Sequence, residues 1–486
     1  MKRFRIPAMI ASAIWSSAAQ GADAPQPPAI KATNPDGIPQ PPAIKATNPN
    51  AAPRPPALNA MNLDDVPQYP VWKAGNSDAG ARPLTLKEAH QIALRKHPKI
   101  TTARLLALAT WQTVVQAKSA YYPNVLLNVA GVDTAQENTR EVSQSVQVST
   151  VVDRGGAGLF ITQLLTDFGR TSNLVASSNL KAKSQDQNVE ATKAQVLLEV
   201  DKAYFDALRS LTLVHVAQGT VEERRMVRDQ VQALAQNELR SSLDVSFANV
   251  NLQQAELLLS RTENDLDSAY ATLAALLDET SVTEYRLADE SGSQKPPGNV
   301  YDLIGTAFRN RPDLLGLGLD HDSAVKFAKA ERALSYPRIT ADVVGGELPY
   351  HDNATNQNYA AAGVEMNWPI FNGKLFIAKR KEAELRAQAS EATLHDARND
   401  VERDVRIAWL SVNNAYRNIG ITSKLRQQAQ RTLDLATARY HAGTSGMVEL
   451  TQAQLALTSA QIDETNARYE YLLRLSILTY QIGELR

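Results

Sequence analysis

The sequence predicts a mixed α and β chain, duplicated internally, in which pairs of short β-strands run into very long α-helices. Three observations predict it. A Tyr-Pro step precedes a strand-like pattern twice, at Tyr122-Pro123 and Tyr336-Pro337. Residues 170 to 236 and 374 to 440 contain no proline and only two glycines, Gly219 and Gly420. Downstream of the first of these, apolar residues recur at every seventh position, the pattern of a coiled-coil seam.

Composition removes several classes. The charges are balanced, 51 basic against 52 acidic for a formal net charge of -1, whereas a nucleic-acid binder needs a basic surface. Cysteine is absent, which excludes disulfides and thiolate metal sites. The mean hydropathy is -0.31 and no run of about 18 apolar residues occurs, so a helical membrane span is excluded. A β-barrel span is not, because alternating strands average out to polar.

The elements follow in chain order. Lys2, Arg3 and Arg5 precede the apolar run 6 to 15 and the small residues Ser17-Ala18-Ala19, the order of a secretory leader covering residues 1–19. Residues 20–82 then read as an extended tether. The string PQPPAIKATNP at 25 to 35 returns letter for letter at 39 to 49, and 14 of the 23 prolines fall between 25 and 83. That density is incompatible with helix or central strand.

The rest is two copies of one unit, 83–290 and 291–486. Pro123 and Pro337 are 214 residues apart; Ala203-Tyr204 and Ala408-Trp409 are 205 apart, as are Asp244-Val245 and Glu449-Leu450. Pairing Gly169 with Gly373 gives an offset of 204 and places an insertion between Pro123 and Gly169. Each unit opens with a short helix (86 to 97; 300 to 310), continues with a second helix up to the Tyr-Pro, and then forms two strands around a polar loop. The strand at 360 to 370 alternates, with Ala362, Val364, Met366, Trp368 and Ile370 on one face and Ala361, Gly363, Glu365 and Asn367 on the other. Strands are also expected at 125 to 132, 158 to 166 and 338 to 345.

At about 1.5 Å per residue, the stretches after these strands would each span roughly 100 Å. Val245, Leu252, Leu259, Leu266 and Leu273 form one row of a seam, and Ala248, Ala255, Thr262, Ala269 and Leu276 its companion. Leu450, Leu457, Glu464, Tyr471 and Leu478 repeat the row in the second half. Four strands cannot close a barrel, and open sheet edges do not face lipid. Several chains must therefore share one wall.

The duplicated Tyr-Pro, the junctions TQLLTDFGR and NWPIFNGK, and the segment ARYHAGTSGMVELTQAQLALTSAQ give the chain its resemblance to the TolC-type outer-membrane efflux and secretion proteins, from about residue 83 to the C-terminus. The resemblance implies a homotrimer in outer-membrane lipid: a twelve-stranded β-barrel, four strands per chain, continued by a coiled-coil periplasmic tunnel. It implies export of drugs, other small molecules or secreted polypeptides, with a periplasmic adaptor (a membrane fusion protein) and an inner-membrane RND or ABC transporter as partners. It places the closed end of the tunnel at the turns 236 to 248 and 440 to 453. There Asp244 and Tyr440 match latch residues, while the matching arginine is replaced by Ser445, leaving Arg240 or His441 to substitute. Of two acidic constriction positions, one is Glu449 and the other is Gln452. A ring of Glu449 carboxylates would favour cations.

Gly443 and Gly446 are expected to set the second turn. The first turn, QNELRSSLD, lacks both glycines, so the two turns are expected to differ in shape. No cofactor is expected. The 7 histidines have no ligand-like spacing, and Gly443-Thr444-Ser445-Gly446 is one residue short of a nucleophile elbow. The competing reading is a soluble periplasmic coiled-coil scaffold or adaptor, which explains the helices but not the two Tyr-Pro strand units.

Overall fold

The computed structural model describes residues 82–132, 139–142, 148–151, 154–279, 285–289, 295–351 and 356–485. The expected leader and nearly all of the proline-rich tether lie outside the described residues. Arg82 is the exception: it opens the first strand, β1 (Arg82–Leu84).

The first half continues with α1 (Leu86–Lys96), α2 (Pro98–Ser119), β2 (Asn124–Val132), the hairpin β3 (Thr139–Val142) and β4 (Val148–Val151), β5 (Arg154–Thr166), α3 (Arg170–Gln236) and α4 (Ser242–Leu276). A short strand, β6 (Tyr285–Leu287), links it to the second half. That half contains α5 (Val300–Asn310), α6 (Pro312–Arg332), β7 (Arg338–His351), β8 (Asn358–Asn367), α7 (Leu375–His441) and α8 (Met447–Gln481). The duplication is close to exact in length: α3 and α7 each have 67 residues, and α4 and α8 each have 35. The β3–β4 hairpin occupies the insertion of the first half. The strand expected at 360 to 370 starts at Asn358 and ends at Asn367, because Pro369 has no N–H for the ladder. Trp368 and Ile370 therefore lie beyond it.

Local sequence sets the helix ends. Thr85 and Glu88 form a capping box at the start of α1. His97 and Arg311 each close one helix and open the next, with Pro98 and Pro312 at the first helical position. The Asp167 carboxylate accepts hydrogen bonds from the N–H and hydroxyl of Thr171 at 2.8 and 2.6 Å, at the first turn of α3. Four helix C-termini end on a left-handed residue: Glu238 (φ 60°), Asp278 (φ 55°), Gly443 (φ 72°) and Gly483 (φ 74°). A Cβ at Gly483 would stand 2.8 Å from the Asn310 carbonyl carbon, so glycine is required there twice over.

The strand-to-helix junctions correct the sequence alignment. Each uses two consecutive left-handed residues, Phe168-Gly169 (φ 54° and 95°) and Gly373-Lys374 (φ 61° and 71°). Gly169 is thus equivalent to Lys374, and Phe168 to Gly373. The offset is 205 from these junctions onward, and the step of 204 is an artefact of matching glycine with glycine.

The four long strands form one antiparallel sheet in the order β2-β5-β7-β8. The helices attached to them keep the same neighbour order, α2 beside α3, α3 beside α6, and α6 beside α7. Farther from the sheet, α4 packs on α3, α3 on α8 and α8 on α7. Two apolar cores repeat at the offset of 205. Val200, Ala203 and Leu273 are buried in the first, and Val405, Ala408 and Leu478 in the second. The heptad rows are buried as expected at Leu252, Leu266, Leu273, Leu450, Leu457, Tyr471 and Leu478. Glu464 departs from its apolar row and pairs with Arg426 at 2.5 Å.

Beside the first core, β1 and β6 pair in parallel, Arg82 to Tyr285 through Leu84 to Leu287. The Tyr204 hydroxyl donates to the carbonyls of Leu84 (2.9 Å) and Ala288 (2.8 Å) and ties the ends of both strands to α3. The buried carboxylate of Asp201 is met by the His90 ring from α1.

Candidate functional site

Two regions of the fold carry functional geometry: the faces of the sheet and the two helical turns at the far end of the coils.

The sheet separates its side chains by register. Val125, Leu127 and Val129 of β2 align with Ile161, Leu159 and Ala157 of β5. These continue through Val343 and Gly345 of β7, with the charged Glu347 at the end remote from the helices, and Ala362 and Val364 extend the face on β8. Val129 is 75% exposed, Leu127 67% and Val364 69%. So large an exposed apolar face marks a surface meant for another apolar phase. The opposite face is the more polar one: Asn124, Asn128, Thr162, Asp342 and Glu365 lie on it, interleaved with Leu126, Phe160 and Val344. At the end joined to the helices, Tyr122, Trp368 and Phe371 are exposed, and Phe168 packs on Tyr336 with ring centroids 6.1 Å apart. A band of aromatics beside an apolar sheet is the signature of a membrane–water boundary.

The helical turns share one geometry, against the sequence expectation. The N–H of Leu239 bonds to the Leu234 carbonyl and that of Glu238 to Ala235; Thr444 bonds to Arg439 and Gly443 to Tyr440 in the same pattern. Both are Schellman ends. The left-handed residue is Glu238 in one and Gly443 in the other, so the first turn reaches the same shape without glycine. The turns differ in the next helix start. Ser241 and Asp244 form a capping box on α4, whereas Gly446 caps α8 with no side-chain bond.

Arg240 and Tyr440 come together. The guanidinium lies over the Tyr440 ring at 4.2 Å and its Nη2 donates to the Tyr440 carbonyl at 2.8 Å. This contact joins the α3–α4 turn to the end of α7. Tyr440 is buried, and its hydroxyl has no hydrogen-bond partner among the described residues. Burial pushes that hydroxyl's pKa up, Arg240 pulls it down, and Asp244 adds to the rise. The Asp244 carboxylate bonds to the Ser241 N–H at 3.4 Å. His441 bonds to Gln230 at 3.3 Å, and the Ser445 hydroxyl is buried without a partner among the described residues.

Glu449 does not stand alone. Arg439 pairs with it at 2.8 Å, and both side chains are well exposed. Sequence reasoning missed Arg439, although the two residues lie at mirror positions about Thr444 in the hairpin. Gln452 is exposed. Two to three turns from the tip, a polar layer crosses the seam. Asn251 donates to the Thr451 hydroxyl at 2.8 Å, and Gln454 donates to Glu223 at 3.1 Å. The adjacent Arg224 is buried, and burial lowers its pKa while Glu223 raises it. These residues connect α3 and α4 with α8, and only a heptad position read as polar could have signalled them.

A sheet with one lipid-compatible face, continued into paired coils, defines a channel-type membrane protein with a helical extension. Residues 89–279 and 303–484 match the family described as outer membrane efflux protein, and the chain belongs to that family. It is similar to the outer membrane protein TolC of Vibrio cholerae, 26% identical over 427 residues covering 82% of this chain and 91% of that protein. TolC of Escherichia coli K12 is 22% identical over 413 residues, covering 82% of each chain. The fold matches the crystal structure of the Campylobacter jejuni CmeC outer membrane channel with a TM-score of 0.72 at 14% identity, over 82% of this chain and 85% of that one. The protein is a TolC-type channel of the outer membrane, and its family is one of channels rather than enzymes.

Proposed function

We propose that three copies join β8 of one to β2 of the next, closing a twelve-stranded barrel that the helices extend as a tunnel into the periplasm. The conduit exports small molecules or secreted polypeptides, driven by an RND or ABC transporter of the inner membrane through a periplasmic adaptor. One observation carries this reading: the sheet has two open edges, β2 and β8, beneath a continuous apolar face. In hydrocarbon each unpaired edge group costs several kcal/mol, and edge-to-edge union of copies removes that cost. Two relatives support the breadth of the reading, the cobalt-zinc-cadmium resistance protein CzcC of Cupriavidus metallidurans and the alkaline protease secretion protein AprF of Pseudomonas aeruginosa.

The tip is the gate in this reading. Arg240 takes the place of the arginine absent at Ser445 and holds Tyr440. Asp244 stiffens the start of α4, and Gly443 and Gly446 shape the opposing turn. Glu449 and Gln452 face the constriction, where Arg439 partly offsets the Glu449 charge. The test is the mass of the detergent-solubilised protein together with its conductance in planar bilayers. A single-chain mass with no conductance defeats the proposal; a trimer with large conductance steps supports it. The cargo is read by co-expressing each transporter class with the channel and measuring drug accumulation against polypeptide secretion.

A further inference from the structure

At the sheet end remote from the helices, β5 and β7 are pressed together on the polar face. A Cβ on Gly346 would stand 2.5 Å from the Tyr359 hydroxyl, 2.6 Å from the Ala157 carbonyl oxygen and 2.7 Å from the Gly158 Cα. A Cβ on Gly156 would stand 2.9 Å from the Leu348 Cα. On the apolar face, Gly155 and Gly345 have their nearest neighbours at 3.4 and 3.6 Å, ordinary contact distances. Side-chain positions converge on the inside of a bend, so the polar face is the concave one.

Register places Gly158, Gly346 and Tyr359 in one row across β5, β7 and β8. The Tyr359 ring lies along that row, across Gly346, with its hydroxyl over Gly158. A methyl on Gly158 would overlap the hydroxyl and stand 3.1 Å from the ring's Cζ. A phenol can lie flat on a sheet only where its row neighbours have no side chain, and it covers the bare backbone they leave.

We infer that Gly158, Gly346 and Tyr359 form a clasp that fixes the bore at the outer mouth of the conduit and so the size of solute that leaves it. The inference rests on the barrel reading above, in which the concave face is the lumen. With the ring folded against the wall the mouth is wide. Evicted, the ring stands into the lumen once per chain.

Gly158→Ala is the cleanest probe. Its methyl conflicts with the far end of Tyr359, while the nearest backbone atom, the Gly345 oxygen, lies at 3.3 Å. The full chain is reconstituted in planar bilayers, and single-channel conductance and the largest admitted polyethylene glycol are measured. Gly158→Ala lowers both. Combining it with Tyr359→Ala returns both to the values of Tyr359→Ala alone, because no ring remains to evict. Tyr359→Trp leaves both glycines in place, carries a ring too wide for the row, and narrows the mouth as well, which covers the case where Gly158→Ala does not assemble. Wild-type conductance in Gly158→Ala or Tyr359→Trp channels, or a double variant as narrow as Gly158→Ala, overturns the clasp. A wild-type protein that makes no channels overturns the barrel reading and the clasp with it.

Discussion

Tyr204 and Trp409 stand 205 residues apart and do the same work in the two halves. Each reaches from its long helix to the backbone just ahead of a short helix, Tyr204 to the Leu84 carbonyl at 2.9 Å and Trp409 to the Pro297 carbonyl at 3.0 Å. A phenol and an indole differ in shape, but both place one donor at the end of a large apolar ring. That suffices to dock the segment leading into α1 or α5 on the core.

Tyr204→Phe removes the donor to Leu84 and Ala288 and keeps the ring. The Ala288 carbonyl loses this donor in a part-buried place, at a cost toward the lower end of about 1–3 kcal/mol. The guanidinium midpoint of the reconstituted protein should fall accordingly. Trp409→Phe, at a half-buried site, should cost less. Equal midpoints for wild type and Tyr204→Phe would refute the docking role.

At the tip, Arg240→Ala should raise the fraction of time the channel is open in bilayers. Arg240→Lys should do so nearly as much, since a lysine keeps the charge but not the planar group over the ring. Tyr440→Phe is the discriminating variant. Its hydroxyl has no partner among the described residues, so gating should be unchanged; a strongly leaking Tyr440→Phe would mean the hydroxyl is engaged across subunits.

The Arg439–Glu449 pair should matter for ion preference and little for stability. Exposed ion pairs contribute about 0–1 kcal/mol. Arg439→Gln uncovers the carboxylate and should shift reversal potentials toward cations, whereas Glu449→Gln should shift them toward anions. Reversal potentials that do not move in either variant would remove both residues from the permeation path.

Glu238 holds a left-handed conformation (φ 60°) that Gly443 holds in the other half. For a residue with a Cβ this costs roughly 1–2 kcal/mol. Glu238→Gly should therefore stabilise the protein by up to about 1 kcal/mol once the added freedom of the unfolded chain is subtracted. Gly443→Ala should destabilise it. Denaturation midpoints of the two variants moving in the same direction would contradict the shared turn geometry.

The α5–α6 junction should be acid-sensitive. Burial alone would lift the Asp313 carboxyl, but the Arg311 fork at 2.7 and 3.0 Å and two backbone N–H groups hold it below its ordinary value. A carboxyl lowered in the folded state stabilises fully above its unfolded pKa, and the contribution fades as pH falls through the lower folded value. Asp313→Asn should flatten the loss of stability below about pH 4. Parallel stability-versus-pH curves for the two proteins would exclude the pair as a contributor.

Repeats, heptads and proline positions were enough to read the duplication, the four long strands and the paired helices, because each is set by local spacing. What escaped was set by other elements. β1 and β6 have three residues each and are held by each other, by Tyr204 and by the apolar core around Leu84 and Leu287. The Schellman form of the first tip turn was hidden because Glu238 stands where glycine is expected. The Phe168-Gly169 and Gly373-Lys374 junctions misled for the same reason: left-handed backbone is usually marked by glycine, and here each pair shares it differently. At the tip, the candidate residues were identifiable by resemblance, but Arg439 beside Glu449 follows from hairpin geometry, which a linear reading does not show.

The parallel pairing of β1 with β6 has a mechanical corollary. Tension applied at Arg82 along the strand axis would load the hydrogen bonds between the two strands together, in shear, rather than peel them one by one. Whatever grips the proline-rich tether would pull against β6, the strand that links the two halves, with Tyr204 as the rivet.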